Sequence, residues 1–161
     1  MSTDDRRQLT HLDESGAARM VDVGDKAITK REATAECWVE MQPETARAIR
    51  DAAVAKGDAL GVARVAAIMG AKRTPELIPL CHPLPITGIE AAFEVQERGV
   101  RIEVTARVTG KTGVEMEAMT GAAIAGLTIV DMVKGIEKGV SLGYVRLLSK
   151  TGGKSGDWTR S

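Results

Sequence analysis

After the turn Gly110-Lys111-Thr112-Gly113 the chain enters a long, nearly apolar run that nonetheless holds Glu115, Glu117, Asp131 and Lys134. A charge inside such a segment is costly unless it is paired or used. Asp131 and Lys134 are three apart, so they share a helical face. Set between Val130, Met132 and Val133, they are expected to be partly buried. One reading is a structural ion pair. The other is a general acid/base pair, a lysine and a carboxylate tuned toward proton transfer by burial and mutual charge. Glu117 lies on roughly the same face but about 21 Å away, at 1.5 Å rise per residue. One helix cannot bring both to a single small reacting centre. Either they serve opposite ends of a long ligand, or the site joins two subunits.

Other groups could bind anions. Gly110-Lys111-Thr112 lies between a strand and a helix, where a phosphate-cradling loop would lie, and Gly153-Lys154-Ser155 repeats the tripeptide. A full Walker A loop needs a glycine five residues earlier, but Thr105 and Leu148 occupy those positions. Two glycine turns with solvated lysines, or two anion contacts, both fit. Cys81-His82 lies in extended chain, where adjacent side chains point apart, so a nucleophilic dyad is not expected. His82 alone could donate to a ligand, or be satisfied by nearby backbone. Two cysteines and two histidines without CxxC or HxxxH spacing argue against a zinc site.

The elements that must position these groups follow from periodicity. A chain of 161 residues makes one domain. The expected division is a disordered arm over residues 1–10, a domain over 11–157 and a tail over 158–161. Met20–Val23 reads as a short strand. Ala33, Ala35, Cys37, Val39 and Met41 alternate with Thr34, Glu36 and Glu40, a half-buried strand. Trp38 falls on its polar face, where it could cover a subunit contact. Pro43 opens a helix, ETARAIRDAAVA, closed by Gly57; a second runs from Leu60 to Arg73. Pro75, Pro79, Pro83 and Pro85 predict an extended connector without helix. Two strands follow, with Ile89, Ala91, Phe93 and Val95, then Val100, Ile102, Val104, Ala106 and Val108 facing inward. Gly99 closes their hairpin loop, free to take a positive φ. A helix spans Val114 to Lys138, a last strand Tyr144 to Ser149, and the tail has a flexible composition. This order predicts an α+β sandwich of the ferredoxin-like kind, a mostly antiparallel sheet with helices on one face.

The totals set limits. Lys+Arg and Asp+Glu are both 22, against a generic nucleic-acid binder. The N-terminus is polar and unlike a signal peptide, and residues 118–130 are too short for a membrane span. Two cysteines fit a reduced cytoplasmic setting. Aromatics are 2%, and a thin core of small aliphatic residues is often completed by a partner subunit.

LIPLCHPL (Leu77–Leu84), TGKTGVEMEAMT (Thr109–Thr120), DMVK (Asp131–Lys134) and KTGGKSGD (Lys150–Asp157) closely resemble the molybdenum cofactor biosynthesis protein C family, the cyclic pyranopterin monophosphate synthases. MVDVGDKAITKREATAE (Met20–Glu36) and KGD (Lys56–Asp58) resemble further blocks of it, so the likeness runs from about Leu9 to Asp157. The resemblance implies a lyase that takes (8S)-3′,8-cyclo-7,8-dihydroguanosine 5′-triphosphate to cyclic pyranopterin monophosphate with release of diphosphate. It implies a homohexamer, a trimer of dimers with its site at the dimer interface, and a radical SAM enzyme supplying the substrate. By the same resemblance Asp131 and Lys134 are catalytic. Leu80, Cys81, His82, Met116 and Glu117 match substrate-contacting segments, and Arg31, Lys56, Glu115, Lys150 and Lys154 match pocket charges. No dedicated metal motif is present, although Mg²⁺ could bridge substrate phosphates. The rival readings are a non-catalytic nucleotide-binding oligomer, which would not need the Asp131/Lys134 pair, and a P-loop NTPase, which the missing glycine argues against.

Overall fold

A computed structural model describes residues 12–13 and 15–161. The expected disordered arm lies outside them. Strand β1 (Thr29–Glu40) leads into helices α1 (Pro43–Arg50), α2 (Ala59–Lys72) and α3 (Thr74–Leu77). The hairpin β2 (Ile86–Gln96) and β3 (Gly99–Gly110) comes next, then α4 (Glu115–Val133), β4 (Ser141–Thr151) and β5 (Trp158–Thr159). The sheet order is β2-β3-β1-β4-β5 and every neighbouring pair is antiparallel. Each crossover therefore skips one strand, the split arrangement of a ferredoxin-like α+β sandwich. The expected fold class is the observed one.

The core lies between β1, β3 and the two long helices. Ala33, Ala35, Cys37 and Val39 of β1, with Val100, Ile102, Val104 and Ala106 of β3, are fully buried against Ala118, Ala122, Ala125 and Ile129 of α4. α2 contributes Ala63 and Ala67, so alanine and glycine set the spacing. A Cβ built on Gly70 would sit 2.9 Å from Ile124 Cβ, and one on Gly126 would sit 2.8 Å from Cys37 Sγ. Contact this close excludes any side chain larger than hydrogen. A buried methyl(ene) contributes only about 0.8 kcal/mol, so the layer relies on tight approach more than on apolar area. Among the described residues α4 is long and apolar enough to cross a bilayer, but more than half of it is buried inside the fold.

The other sheet face carries charge. Glu36 is only 2% exposed. Arg101 Nε donates to its Oε2 and Arg146 Nε to its Oε1, both at 2.7 Å. Burial alone would push this carboxyl up, but the two guanidiniums outweigh it and hold the carboxyl below its ordinary value. Trp38 lies across Gly99 and Gly143 of the flanking strands. Gly99 is thus required for close approach to Trp38, and not for a positive φ as expected.

Five further expectations are corrected. Met20–Val23 is no strand: Gly24 N–H donates to Asp22 Oδ1 and Lys26 N–H to the Val23 carbonyl, a turn in place of a sheet partner. α1 stops at Arg50, seven residues before Gly57, because Ala52 takes φ 52 and Ala53 N–H returns to the Ala48 carbonyl. This is a left-handed helix end built on alanine in place of glycine. The proline-rich stretch contains α3, since Pro75 sits in the first turn, where its missing N–H costs nothing. α4 ends at Val133, and Lys134 caps it. The tail forms β5 on the edge of β4.

The tight α2–α4 contact generates an expectation for stability. Gly70→Val should destabilise the fold by about 1–3 kcal/mol through overpacking. Adding Ile124→Ala should recover part of that loss, because it removes the crowding Cγ1 and Cγ2 and keeps only Cβ. Urea unfolding of the single and double variants measures both.

Candidate active site

The N-terminal end of α4 is the floor of two adjoining cavities. The larger encloses about 960 Å³ and the smaller about 260 Å³. Lys26, Thr112, Gly113 and Glu115 line both, so they form one continuous depression. Its walls come from the start of β1, the β3–α4 turn, the Leu80–Leu84 segment, the end of β4 with the glycine loop after it, and the segment before β1.

The larger cavity is a cationic one. Arg31, Lys26, Lys111, Lys150 and Lys154 line it. Arg31 is half-buried beside the β3–α4 turn and donates Nε to the Gly110 carbonyl and Nη2 to the Lys111 carbonyl, both at 3.1 Å. It thereby shapes the turn whose backbone opens α4. Both GK[ST] tripeptides, Lys111-Thr112 and Lys154-Ser155, meet in this cavity although they are far apart in sequence. Lys150 Nζ donates to Glu115 Oε1 at 3.0 Å and to Ser155 Oγ at 3.2 Å. The Thr29 hydroxyl also lines the space and is buried with no hydrogen-bond partner. Buried hydroxyls are normally satisfied, so this one is an exception among the described residues.

The smaller cavity adds Cys81, His82 and Glu117 to the shared residues, beside the apolar Val21, Val23, Leu80, Leu84 and Met116. His82 Nε2 lies 2.7 Å from the Val21 carbonyl oxygen. A carbonyl only accepts, so Nε2 carries the proton here. Glu117 is 2% exposed, and burial, reinforced by the charge of Glu115, pushes its carboxyl up to about 7. A carboxyl in that range exchanges protons near neutral pH, as a general acid or base must. Burial first, and then the charge of Glu117, raises the Cys81 thiol, which makes it a poor nucleophile. The raised thiol argues against a Cys–His dyad, although both residues line this cavity.

Lys56, Asp131 and Lys134 form a separate cluster at the other end of α4. Lys134 Nζ lies 2.7 Å from Asp131 Oδ1, and Lys56 Nζ donates to Asp131 Oδ2 at 3.1 Å and to the Asp131 carbonyl at 2.7 Å. Lys134 first, then Lys56, holds the Asp131 carboxyl below its ordinary value. The expected partial burial is not found: the side chains of Asp131 and Lys134 are 57% and 60% exposed. Helical rotation turns Ile129 and Val133 inward and leaves these two facing out. None of the three lines either cavity.

Of the twelve residues singled out in the sequence, nine therefore meet at one end of α4 and three at the other. Lys26, Thr29 and Val21 were not picked out. Lys26 sits inside the Met20–Glu36 block that carries the family likeness, but no periodicity distinguishes it from a surface lysine. The roles of Thr29 and Val21 depend on a hydroxyl's isolation and a backbone oxygen, which leave no sequence signal.

Comparison with known proteins gives the relatives of this chain. A cyclic pyranopterin monophosphate synthase of Streptomyces coelicolor is 54% identical over 158 residues, 98% of this chain and 93% of its own. One from a Nocardioides species is 54% identical over 161 residues, covering 98% and 99%. One from Parvibaculum lavamentivorans is 53% identical over 154 residues, covering 94% and 96%. The model of the MoaC family matches residues 20–153, which span every wall of the depression up to Gly153, and the chain belongs to that family.

Proposed function

We propose that this chain is a cyclic pyranopterin monophosphate synthase, a lyase of molybdenum cofactor biosynthesis. Its substrate is (8S)-3′,8-cyclo-7,8-dihydroguanosine 5′-triphosphate, and its products are cyclic pyranopterin monophosphate and diphosphate. The observation that carries the reading is the near-full-length identity of about half to synthases of that name. The depression at the start of α4 has the chemistry such a substrate needs.

The triphosphate occupies the larger cavity against Arg31, Lys111, Lys150 and Lys154, with Arg31 the group able to grip two oxygens at once. The purine-derived part sits in the smaller cavity against Leu80, Cys81, Met116, His82 and Glu117. Closing the cyclic phosphodiester joins an internal hydroxyl oxygen to the first phosphorus. The bond from that phosphorus to the bridging oxygen breaks, the hydroxyl proton passes to a base, and diphosphate leaves. Neutralising the leaving diphosphate is the largest electrostatic demand, and the lysines meet it. No cofactor is firmly implied in this reading, although Mg²⁺ could accompany the substrate phosphates, whose oxygens would be its ligands.

The ring rearrangement needs proton transfers, which the reading gives to Lys134 with Asp131 setting its position and charge. Their distance along α4 from Glu117 supports the reading that a neighbouring subunit brings them to the cavity. Exposed Val62, Val65 and Met69 on α2 and Leu127 on α4 give the copies an apolar surface to meet on. The assembly in this reading is a homohexamer, a trimer of dimers working in the cytoplasm, supplied by a radical SAM enzyme that cyclises GTP.

Lys134→Ala should lower kcat at least ~100-fold while substrate binding is retained. The same should hold for Asp131→Asn. Near wild-type turnover by either variant would sink their assignment, and retained binding without any turnover in the wild type would favour the non-catalytic alternative. Mixing Lys134→Ala with His82→Ala protein should restore part of the activity, because one site then receives both intact halves; no recovery on mixing would place the whole site in one chain.

Burial of Glu117 also makes a pH prediction. Its folded pKa of about 7 lies above the ordinary 4.5, so the folded state holds a proton that the unfolded chain releases. That contribution is fully present below about pH 4.5 and is lost as pH rises through about 7. Glu117→Gln should flatten the decline in stability across this window and raise stability at pH 8, as measured by urea unfolding at successive pH values.

A further inference from the structure

We infer that the two-residue strand β5 is a clasp that holds the glycine loop Gly152–Gly156 in its binding shape, with Trp158 and Arg160 as positioning residues. The inference rests on the reading of the larger cavity as the triphosphate site. The clasp lies beyond residues 20–153, which the family model matches.

The loop has unusual freedom. Gly152, Gly153 and Gly156 all have positive φ, at 84, 79 and 69 degrees. A Cβ on Gly153 would lie 2.0 Å from Arg31 Nη1, so the loop must pass directly over that guanidinium. Three glycines in five residues give the free loop many competing conformations. Left untied, it would have to be ordered each time an anion bound, and that cost would come out of the affinity.

The structure ties it at both ends. Trp158 pairs with Lys150 and Thr159 with Ser149, so the loop is the connection of a β4–β5 hairpin. Arg160 N–H donates to the Leu148 carbonyl at 2.7 Å, and its Nε to the Leu147 carbonyl at 2.6 Å. The same guanidinium lies 5.6 Å from the centre of the Trp158 ring. Inside the hairpin, Gly152 N–H donates to the Asp157 carboxylate at 3.1 Å. Lys150, the residue opposite Trp158, is the one whose ammonium reaches Glu115 and Ser155 in the cavity. Neither Trp158 nor Arg160 lines the cavity, so both act through the loop.

The test uses the full chain. The double variant Trp158→Gly/Arg160→Ala should raise KM for the cyclised nucleotide about tenfold with kcat within twofold of wild type. Its Kd for inorganic tripolyphosphate, measured by calorimetry, should rise equally, and trypsin should cut after Lys154 faster. Trp158→Phe should restore all three. Both side chains are exposed, so melting temperature should change little. If the double variant does not fold, Arg160→Ala alone should show the same changes at smaller size. Unchanged KM and tripolyphosphate Kd, with Lys154→Ala still raising both, would overturn the clasp and leave the site standing. Unchanged tripolyphosphate binding in Lys150→Ala and Lys154→Ala would overturn the site, and the clasp with it. A fall in kcat at constant KM would also overturn the clasp, since it would place Trp158 and Arg160 in the chemistry.

Discussion

The close seating of α4 on the sheet and on α2 is the constraint from which the rest follows. Alanine and glycine line the contact, so the helix backbone approaches until Gly126 meets Cys37 and Gly70 meets Ile124. A helix seated this way has no slack to slide or tilt, because any shift collides with backbone or Cβ atoms. It is therefore a rigid bar with a cluster of charged side chains at each end. The spacing between Glu117 and Asp131 is set by helical rise and cannot be closed by local motion. In the proposed function a second copy brings the two clusters together, so assembly is part of that reading of the chemistry.

Two buried carboxylates show how neighbours decide what a charge does. Glu36 on the outer sheet face lies between Arg101 and Arg146, and their hydrogen bonds overcome the cost of burial. It stays ionised and locks three strands. Glu117 is equally buried, but its neighbours are Cys81 and the negative Glu115, and its carboxyl rises to about 7. The first is a structural ion, with its partners on β3 and β4, the two strands that flank β1 in the sheet. For the second, burial favours the neutral, protonated form. Their sequence contexts differ little, since both sit among small and apolar residues.

Much of the fold was legible because it rests on periodicity. The alternation in β1, β2 and β3 marked both faces, and the strand and helix order gave the ferredoxin-like arrangement. The misreadings have particular causes. Val21 and Val23 alternate because they line a cavity, and a single chain segment cannot distinguish that from facing a sheet. The end of α1 carried no glycine to announce it, because Ala52 takes the left-handed position. β5 is held by backbone pairing and by Arg160, neither of which alters local composition. For the site, motif likeness located the residues, but their division between the ends of α4 came from counting helical rise. The isolation of the Thr29 hydroxyl needed coordinates.

The segment from Met20 to Ile28 is fastened to the site in an uncommon manner. His82 and Lys111 hold it by the carbonyl oxygens of Val21 and Gly24, and not by any side chain of the segment. A main-chain oxygen is offered by every amino acid. The attachment therefore tolerates replacement of Val21 without loss of its anchor, while His82 and Lys111 have no such latitude. Replacing Val21 leaves the anchoring oxygen in place, whereas replacing His82 or Lys111 removes a group that reaches for a main-chain oxygen.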